Sequence, residues 1–73
     1  ISNEIALMIE IALERMPRQQ RRIFEMSRYE GLSNEEIATQ LSISKNTVKV
    51  HLYQAVKSLK ELLTLFILLI SIQ

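Results

Sequence analysis

This chain has very few residues that break helices, which limits the folds open to it. Its 73 residues include one glycine, one proline and no aspartate, and 48% of them are hydrophobic. Such a composition favours long helices with short connections over a sheet with many turns. A chain of this length holds one compact domain, which leaves no room for a deep catalytic cleft. We therefore expect a single all-α domain.

The apolar spacing predicts two helices before the only glycine. Between residues 3 and 16, apolar side chains recur at spacings of one, three and four, as on the buried stripe of a helix. Pro17 lacks a backbone donor but fits the first turn of a new helix, which we expect to run to about Tyr29 and to stop at Gly31. The predicted inward-facing positions are Ile5, Met8, Ile9, Ala12, Leu13, Met16, Ile23, Phe24, Met26 and Tyr29.

A capping box marks the start of a third helix. Ser33 and Glu36 can satisfy each other's free backbone amides, which predicts a helix from about residue 34 to residue 41. Ser44 is a good cap for a fourth helix, and no breaker follows it. Two capped helices joined by a short turn at residues 42–44 are the outline of a helix-turn-helix. The predicted fold class is thus a small all-α domain with a helix-turn-helix and four helices, the last one long.

Positive charge is concentrated in two stretches although the net charge is only +1. Four lysines follow one another with no acid between them: Lys45, Lys49, Lys57 and Lys60. Five arginines lie earlier in the chain, offset only by Glu14 and Glu25: Arg15, Arg18, Arg21, Arg22 and Arg28. The local excess matters more than the total, because two basic surfaces can face one polyanion.

The fourth helix is the candidate DNA-reading element. The second helix of a helix-turn-helix places its N-terminal residues in the major groove. Here those residues combine cations, amides, a hydroxyl and apolar side chains, which suit base edges and phosphates. The predicted DNA-contacting residues are Lys45, Asn46, Thr47, Lys49, Val50, Tyr53, Gln54 and Lys57 in the fourth helix, with Arg18 and Arg22 in the second.

Several of these residues also have a plainer interpretation. The lysines can form the solvated face of a helix, and Tyr53 can be half-buried packing. An arginine of the second helix, Arg22 first among them, can pair with a glutamate inside the domain instead of touching the DNA backbone. His51 is expected at the surface or facing phosphate. Because the chain has no cysteine and one histidine, a disulfide framework is excluded and no metal or cofactor is expected.

Residues 16–63, about two-thirds of the chain, resemble the last conserved region of extracytoplasmic-function sigma factors of the sigma-70 family. The resemblance rests on several pieces taken together: Met16-Pro17, Arg22-Ile23-Phe24, Glu30-Gly31-Leu32-Ser33, Glu36-Ile37-Ala38, Thr47-Val48-Lys49 and Leu59-Lys60-Glu61-Leu62-Leu63. It implies that the fourth helix reads the −35 element of double-stranded promoter DNA. It also implies that the flap of the RNA polymerase beta subunit holds the domain.

The resemblance also suggests which residues touch DNA. By position, the family's base and phosphate contacts fall on Lys49, Val50, Tyr53 and Gln54, with Lys45 and Asn46 at the helix start. Family members often have arginine near His51 and Gln54, so we expect weaker phosphate contact or a different preferred sequence here. Many relatives have glycine in the turn where this chain has Ser42, so we expect modest strain in any left-handed conformation at that residue.

The end of the chain, residues 62–72, is an apolar tail with almost no polar face. It is too short for a membrane span, which needs about 20 residues. A stripe with the heptad spacing of packed helices leads into it: Val48, Leu52, Ala55, Leu59, Leu62, Phe66 and Leu69. One interpretation is that the tail folds back onto the first helix as core. The one we favour is contact with another protein, namely an upstream domain, an anti-sigma factor, polymerase or a second copy.

The function favoured by these observations is promoter recognition within a cytoplasmic, bacterial-type sigma factor, by a domain that performs no chemistry itself. An enzyme is the least favoured class, since a glycine-rich phosphate loop and a His-carboxylate pairing are both missing. Two alternatives stay open: a LuxR-type response-regulator DNA-binding domain, and a helical interaction module that works through its tail. We expect residues 1–73 to be one domain of a longer protein, since Ile1 is neither an initiator methionine nor the start of a signal peptide.

Overall fold

The chain forms four helices in the structure, a computed structural model that describes residues 2–72 and the side chains of residues 3–72. The helices are α1 (Ser2–Arg15), α2 (Arg18–Arg28), α3 (Asn34–Leu41) and α4 (Lys45–Ile72). No strand occurs within these bounds. The predicted all-α fold with a long last helix is therefore confirmed. Ile1 and Gln73, the two ends of the predicted domain, lie outside the described residues.

The helix ends follow local chemistry. The prediction of a left-handed stop at Gly31 is confirmed, because Gly31 has a φ of +69°. Beyond it, the Leu32 N–H donates to the Met26 carbonyl oxygen at 3.0 Å and closes the end of α2. The turn after α3 has the same design without glycine: Ser42 has a φ of 56°, and the Ile43 N–H donates to the Ala38 carbonyl oxygen at 3.0 Å. The expected left-handed conformation at Ser42, with its modest strain, is thus present.

The capping box at the start of α3 is confirmed. The Ser33 hydroxyl accepts from the Glu36 N–H at 3.1 Å, and the Glu36 carboxylate accepts from the Ser33 N–H at 2.8 Å. The backbone hydrogen bond, followed by the one to the Ser33 side chain, lowers the pKa of Glu36 from its usual value of 4.5. The box fixes where α3 begins, and therefore how α3 leads into the turn.

Two groups of buried side chains form the core. One joins α1, α2 and α4 and contains Leu13, Met16, Phe24 and Ala55. The other joins α2, α3 and α4 and contains Ile23, Met26, Ile37 and Val48. Because α2 and α4 contribute to both groups, they hold α1 on one side and α3 on the other. Packing of Ile37 against Val48 sets how α4 crosses α3.

Some predicted core positions are wrong. Tyr29 is exposed, because α2 ends at Arg28 and the Tyr29 side chain leaves the helical stripe. Its ring meets the edge of the Phe24 ring at a centroid distance of 6.1 Å. Ile5 is also exposed, at the outer end of α1. The expectation for His51 is wrong in the other direction: the side chain is half-buried, and its Nδ1 atom is buried without a hydrogen-bond partner.

The apolar tail is covered on one side only. Leu62, Leu63 and Phe66 are half-buried beside α1. The remaining large apolar residues of the tail are exposed: Leu65, Ile67, Leu68, Leu69, Ile70 and Ile72. The interpretation of the tail as core therefore holds for only three of its residues, and contact with another protein stays a prediction. No helix within the described part of the chain is long and apolar enough to cross a membrane.

Candidate nucleic-acid interface

The start of α4 is held in place by its cap and by the core. The Ser44 hydroxyl accepts from the Thr47 N–H at 3.0 Å and shares a hydrogen bond of 2.8 Å with the Thr47 hydroxyl. Below this turn, Val48 and Ile37 are fully buried. A capped first turn on a packed base gives the exposed residues around it fixed positions. Such rigidity lowers the entropy that is lost when a surface binds.

Five predicted DNA-contacting residues share one exposed side of α4, which we call the reading face: Asn46, Lys49, Val50, Tyr53 and Lys57. Their spacing of three and four residues places them in one row along the helix. The fully buried Val48 and Ala55 lie on the other side of the same helix, whereas Tyr53 is 70% exposed and Val50 46%. In this part of α4, one side of the helix therefore belongs to the core and the opposite side is available to a partner.

The other predicted residues of α4 are placed differently. Gln54 is exposed at the edge of the reading face. Lys45 is exposed, but its Nζ atom lies 3.4 Å from a carboxylate oxygen of Glu35, so part of its charge is balanced within the domain. Thr47 is half-buried, and its hydroxyl is engaged with Ser44 in the cap. Thr47 thus helps to start the helix. The Glu35 carboxylate competes with DNA phosphate for Lys45.

The two predicted arginines of α2 are exposed. Arg18 is the first residue of α2, and Arg22 follows one turn later. The alternative in which an arginine of α2 pairs with a glutamate is confirmed for Arg21 and not for Arg22. The Arg21 Nε atom lies 3.1 Å from a Glu25 carboxylate oxygen, four residues along the helix. Contact of Arg18 and Arg22 with the DNA backbone stays a prediction.

Two further residues bear on the site, although neither is among the predicted DNA-contacting residues. Lys60 is exposed and lies one turn beyond Lys57, so it extends the row of the reading face. The sequence already groups Lys60 with Lys45, Lys49 and Lys57 in one basic stretch. Glu35 gave no such signal, because its proximity to Lys45 depends on how α3 and α4 cross. Among the described residues, no group of three or more His, Cys, Asp or Glu side chains is arranged to hold a metal ion.

Comparison with known proteins identifies the family of this chain. The family described as "Sigma-70, region 4" matches residues 6–59. The ECF RNA polymerase sigma factor SigL of Mycobacterium tuberculosis, in the Erdman and H37Rv strains, is 39% identical over 54 residues. That alignment covers 74% of this chain, and the chain spans about 30% of the length of these relatives. These matches confirm the predicted resemblance to sigma-70 region 4 and do not favour the response-regulator alternative. The chain belongs to the sigma-70 region 4 family.

Proposed function

We propose that this chain is the domain of an RNA polymerase sigma factor that recognises the −35 element of a promoter. The first half of α4 would lie in the major groove. The observation that carries the proposal is the reading face, a row of exposed side chains on a helix whose other side is fixed in the core. An α-helix fits the major groove of B-DNA, and the second helix of a helix-turn-helix enters it with its N-terminal residues.

The side chains of the reading face suit different parts of a base pair. The amides of Asn46 and Gln54 can donate and accept hydrogen bonds together, the pattern that adenine presents in the major groove. Lys49 supplies a cation for a guanine edge or a phosphate. Val50 offers an apolar surface for a thymine methyl group, and Tyr53 offers a ring for packing against a sugar or a methyl group. Thr47 supports this row through the helix cap.

Basic residues around the reading face would hold the DNA backbone without reading its sequence. We assign this role to Lys57, Arg18 and Arg22, with Lys45 joining when it leaves Glu35. Each phosphate contact releases condensed counterions, so affinity should fall as salt rises, by roughly 0.9 logarithmic units per contact for each tenfold increase in salt. The proposed domain comprises residues 1–73, with the DNA-binding motif at about 16–63.

The proposed setting is transcription initiation in the bacterial cytoplasm. The domain would bind DNA and polymerase core and carry out no reaction itself. The family resemblance supports the flap of the polymerase beta subunit as the contact on polymerase, and an anti-sigma factor is a further candidate partner. A pull-down with the isolated flap tests this assignment. Specific binding supports the sigma-factor role, whereas no binding by a folded, DNA-binding chain would favour a regulator that acts without the flap.

The DNA-binding assignment is tested with one variant on the reading face and one away from it. Lys49→Ala should weaken binding to a duplex enriched by this chain from a random pool, by about tenfold, because one charged contact is lost at about 1–3 kcal/mol. Arg28→Ala removes the same charge from the exposed end of α2 and should change affinity much less. Fluorescence anisotropy at several salt concentrations measures both. Equal effects of the two substitutions would contradict the assignment.

A further inference from the structure

No side chain caps the start of α2. Its N-cap residue is Pro17, which forms no side-chain hydrogen bond, whereas Ser33 and Ser44 cap α3 and α4. The first backbone hydrogen bond of α2 runs from the Arg21 N–H to the Pro17 carbonyl oxygen at 3.0 Å. The N–H groups of residues 18, 19 and 20 therefore have no helical partner, and they form the positive end of the helix dipole.

Gln20, the third residue of α2, is a buried side chain without a hydrogen bond. It is 5% exposed, and its amide has no partner within residues 2–72. In a capping box, the side chain at this position accepts from the N–H of the N-cap residue, but Pro17 has no N–H. The amide stays open to a ligand, because the only fully buried unpaired side-chain nitrogen or oxygen of the described residues is Nδ1 of His51.

The Gln20 amide belongs to the same end of the helix as the free N–H groups. Side chains on a helix lean toward its N-terminus, so Gln20 covers the first turn of α2. Buried polar groups are nearly always hydrogen-bonded, and this one needs a partner that the chain itself does not supply. Three free N–H groups with a side-chain donor beside them are the arrangement that binds an anion at a helix N-terminus.

The charges of this turn also favour an anion. The first turn of α2 contains no acid, and its first residue is the exposed Arg18. A cation at a helix N-terminus is repelled by the positive end of the helix dipole, and an anion placed between them removes that repulsion. Arg22, one turn later, is exposed as well, while the charge of Arg21 is balanced by Glu25.

The start of α2 lies beside the far end of the reading face. Pro17 and Ser58 line the same groove, and Ser58 directly follows Lys57, the last residue of the reading face. The groove also contains Arg15 and Glu61, whose opposite charges leave the local balance unchanged. A helix in the major groove has the phosphates of the DNA backbone on either side of it, so a backbone phosphate is the anion that this position can meet.

We propose that the start of α2 binds one phosphate of the DNA backbone through the N–H groups of residues 18–20 and the side-chain amide of Gln20. This site rests on the proposed function and adds Gln20 and the backbone N–H groups to the contacts assigned there. Arg18 supplies charge, and the donors fixed in the helix supply direction. A phosphate contact carries no sequence information itself, but it fixes the register in which the reading face meets the bases.

Two substitutions of Pro17 test whether the free N–H groups bind DNA. Pro17→Asn supplies a side-chain cap that occupies these groups without adding charge, and it should weaken binding to the enriched duplex about tenfold. Pro17→Ala restores the same backbone N–H but brings no side-chain acceptor, so it is the matched control and should bind within about twofold of the unmodified chain. Fluorescence anisotropy measures both. Equal affinities of the two variants would overturn the proposal.

Gln20→Met tests the side-chain amide separately. Methionine has a similar shape but no donor, so the substitution should weaken DNA binding about tenfold. The free chain should be at least as stable in thermal denaturation, because an apolar side chain replaces a buried amide without a partner. Unchanged DNA affinity contradicts the role of the amide. A loss of stability that accounts for the loss of binding would make Gln20 a structural residue and overturn its assignment.

NMR of the ¹⁵N-labelled chain distinguishes a failure of this site from a failure of the proposed function. Titration with the enriched duplex should shift the backbone amide resonances of residues 18–20 together with those around Lys49. Changes around Lys49 alone would overturn the phosphate site and leave the proposed function intact, whereas no response to duplex contradicts both. Inorganic phosphate at equal ionic strength should cause weaker changes. Changes with inorganic phosphate and none with duplex would assign the site to a free anion and overturn the proposal.

Discussion

The two halves of α4 have similar apolar spacing but differ in how far their apolar side chains are buried. In the first half, Val48 and Ala55 are fully buried, and polar or charged residues occupy the other side of the helix. In the second half, Leu69 continues the same heptad stripe and is 64% exposed. The difference lies in the neighbouring helices: α2, α3 and the end of α1 pack against the first half, whereas α1 alone lies beside the second half. Periodicity indicates which side of a helix is apolar, but whether that side is buried depends on the neighbouring elements.

The largest expected effect separates a core isoleucine from a tail isoleucine. Ile37→Ala should lower the free energy of unfolding by about 2–5 kcal/mol, because Ile37 is fully buried against the first half of α4. Ile67→Ala, at an exposed position of the apolar tail, should cost less than about 1 kcal/mol. Urea denaturation followed by circular dichroism measures both. Similar losses would show that the two halves are equally packed.

A second prediction concerns the cap that positions α3 beneath α4. Ser33→Ala removes the hydroxyl that accepts from the Glu36 N–H, and should lower the free energy of unfolding by about 1 kcal/mol. Thr39→Ala, in an exposed position of the same helix, is the control and should cost less than about 0.5 kcal/mol. Thermal denaturation compares the two variants. An equal loss in both would mean that the hydroxyl makes no special contribution.

The same cap predicts a dependence on pH. Because Ser33 lowers the pKa of Glu36 in the folded chain, the stabilisation is fully present above pH 4.5 and is lost as pH falls through the lower folded-state pKa. Glu36→Gln should remove this part of the acid sensitivity. Chemical denaturation across this pH range tests the effect. An unchanged acid profile in the variant would contradict the assigned cause.

A smaller gain in stability is expected at His51. Its Nδ1 atom is buried without a hydrogen-bond partner, which costs free energy that an apolar side chain avoids. His51→Leu should therefore raise the free energy of unfolding by about 1 kcal/mol. His51 lies in the first half of α4, where the helix packs against the core. A loss of stability on replacement would mean that the imidazole ring makes contacts that outweigh its unpaired nitrogen.

The smallest expected effect concerns the charge at the start of the reading face. Glu35→Gln should strengthen DNA binding about two- to threefold at low salt, because Lys45 is released from an exposed ion pair worth less than about 1 kcal/mol. The gain should disappear as salt rises. Gln40→Glu, which adds an acid at another exposed position of α3, tests for a general effect of charge.

Most of the fold could be predicted from the sequence, because local interactions determine the helix boundaries. Pro17, Gly31 and the Ser33–Glu36 box set helix boundaries through short-range interactions, so the four helices could be placed. Tyr29 and His51 were misplaced because their exposure depends on where α2 ends and how α4 packs, which spacing alone does not encode. The reading face was predictable as a row on one helix. The contact between Lys45 and Glu35 was not, since it joins two helices across the turn.

In the proposed function, the first half of α4 reads DNA and the second half does not. The most direct measurement is NMR of the ¹⁵N-labelled chain during titration with a duplex enriched by the chain from a random pool. Chemical shifts should change most around Asn46, Lys49, Tyr53 and the start of α2, and little across residues 62–72. Changes centred on the tail, or spread evenly along α4, would contradict it.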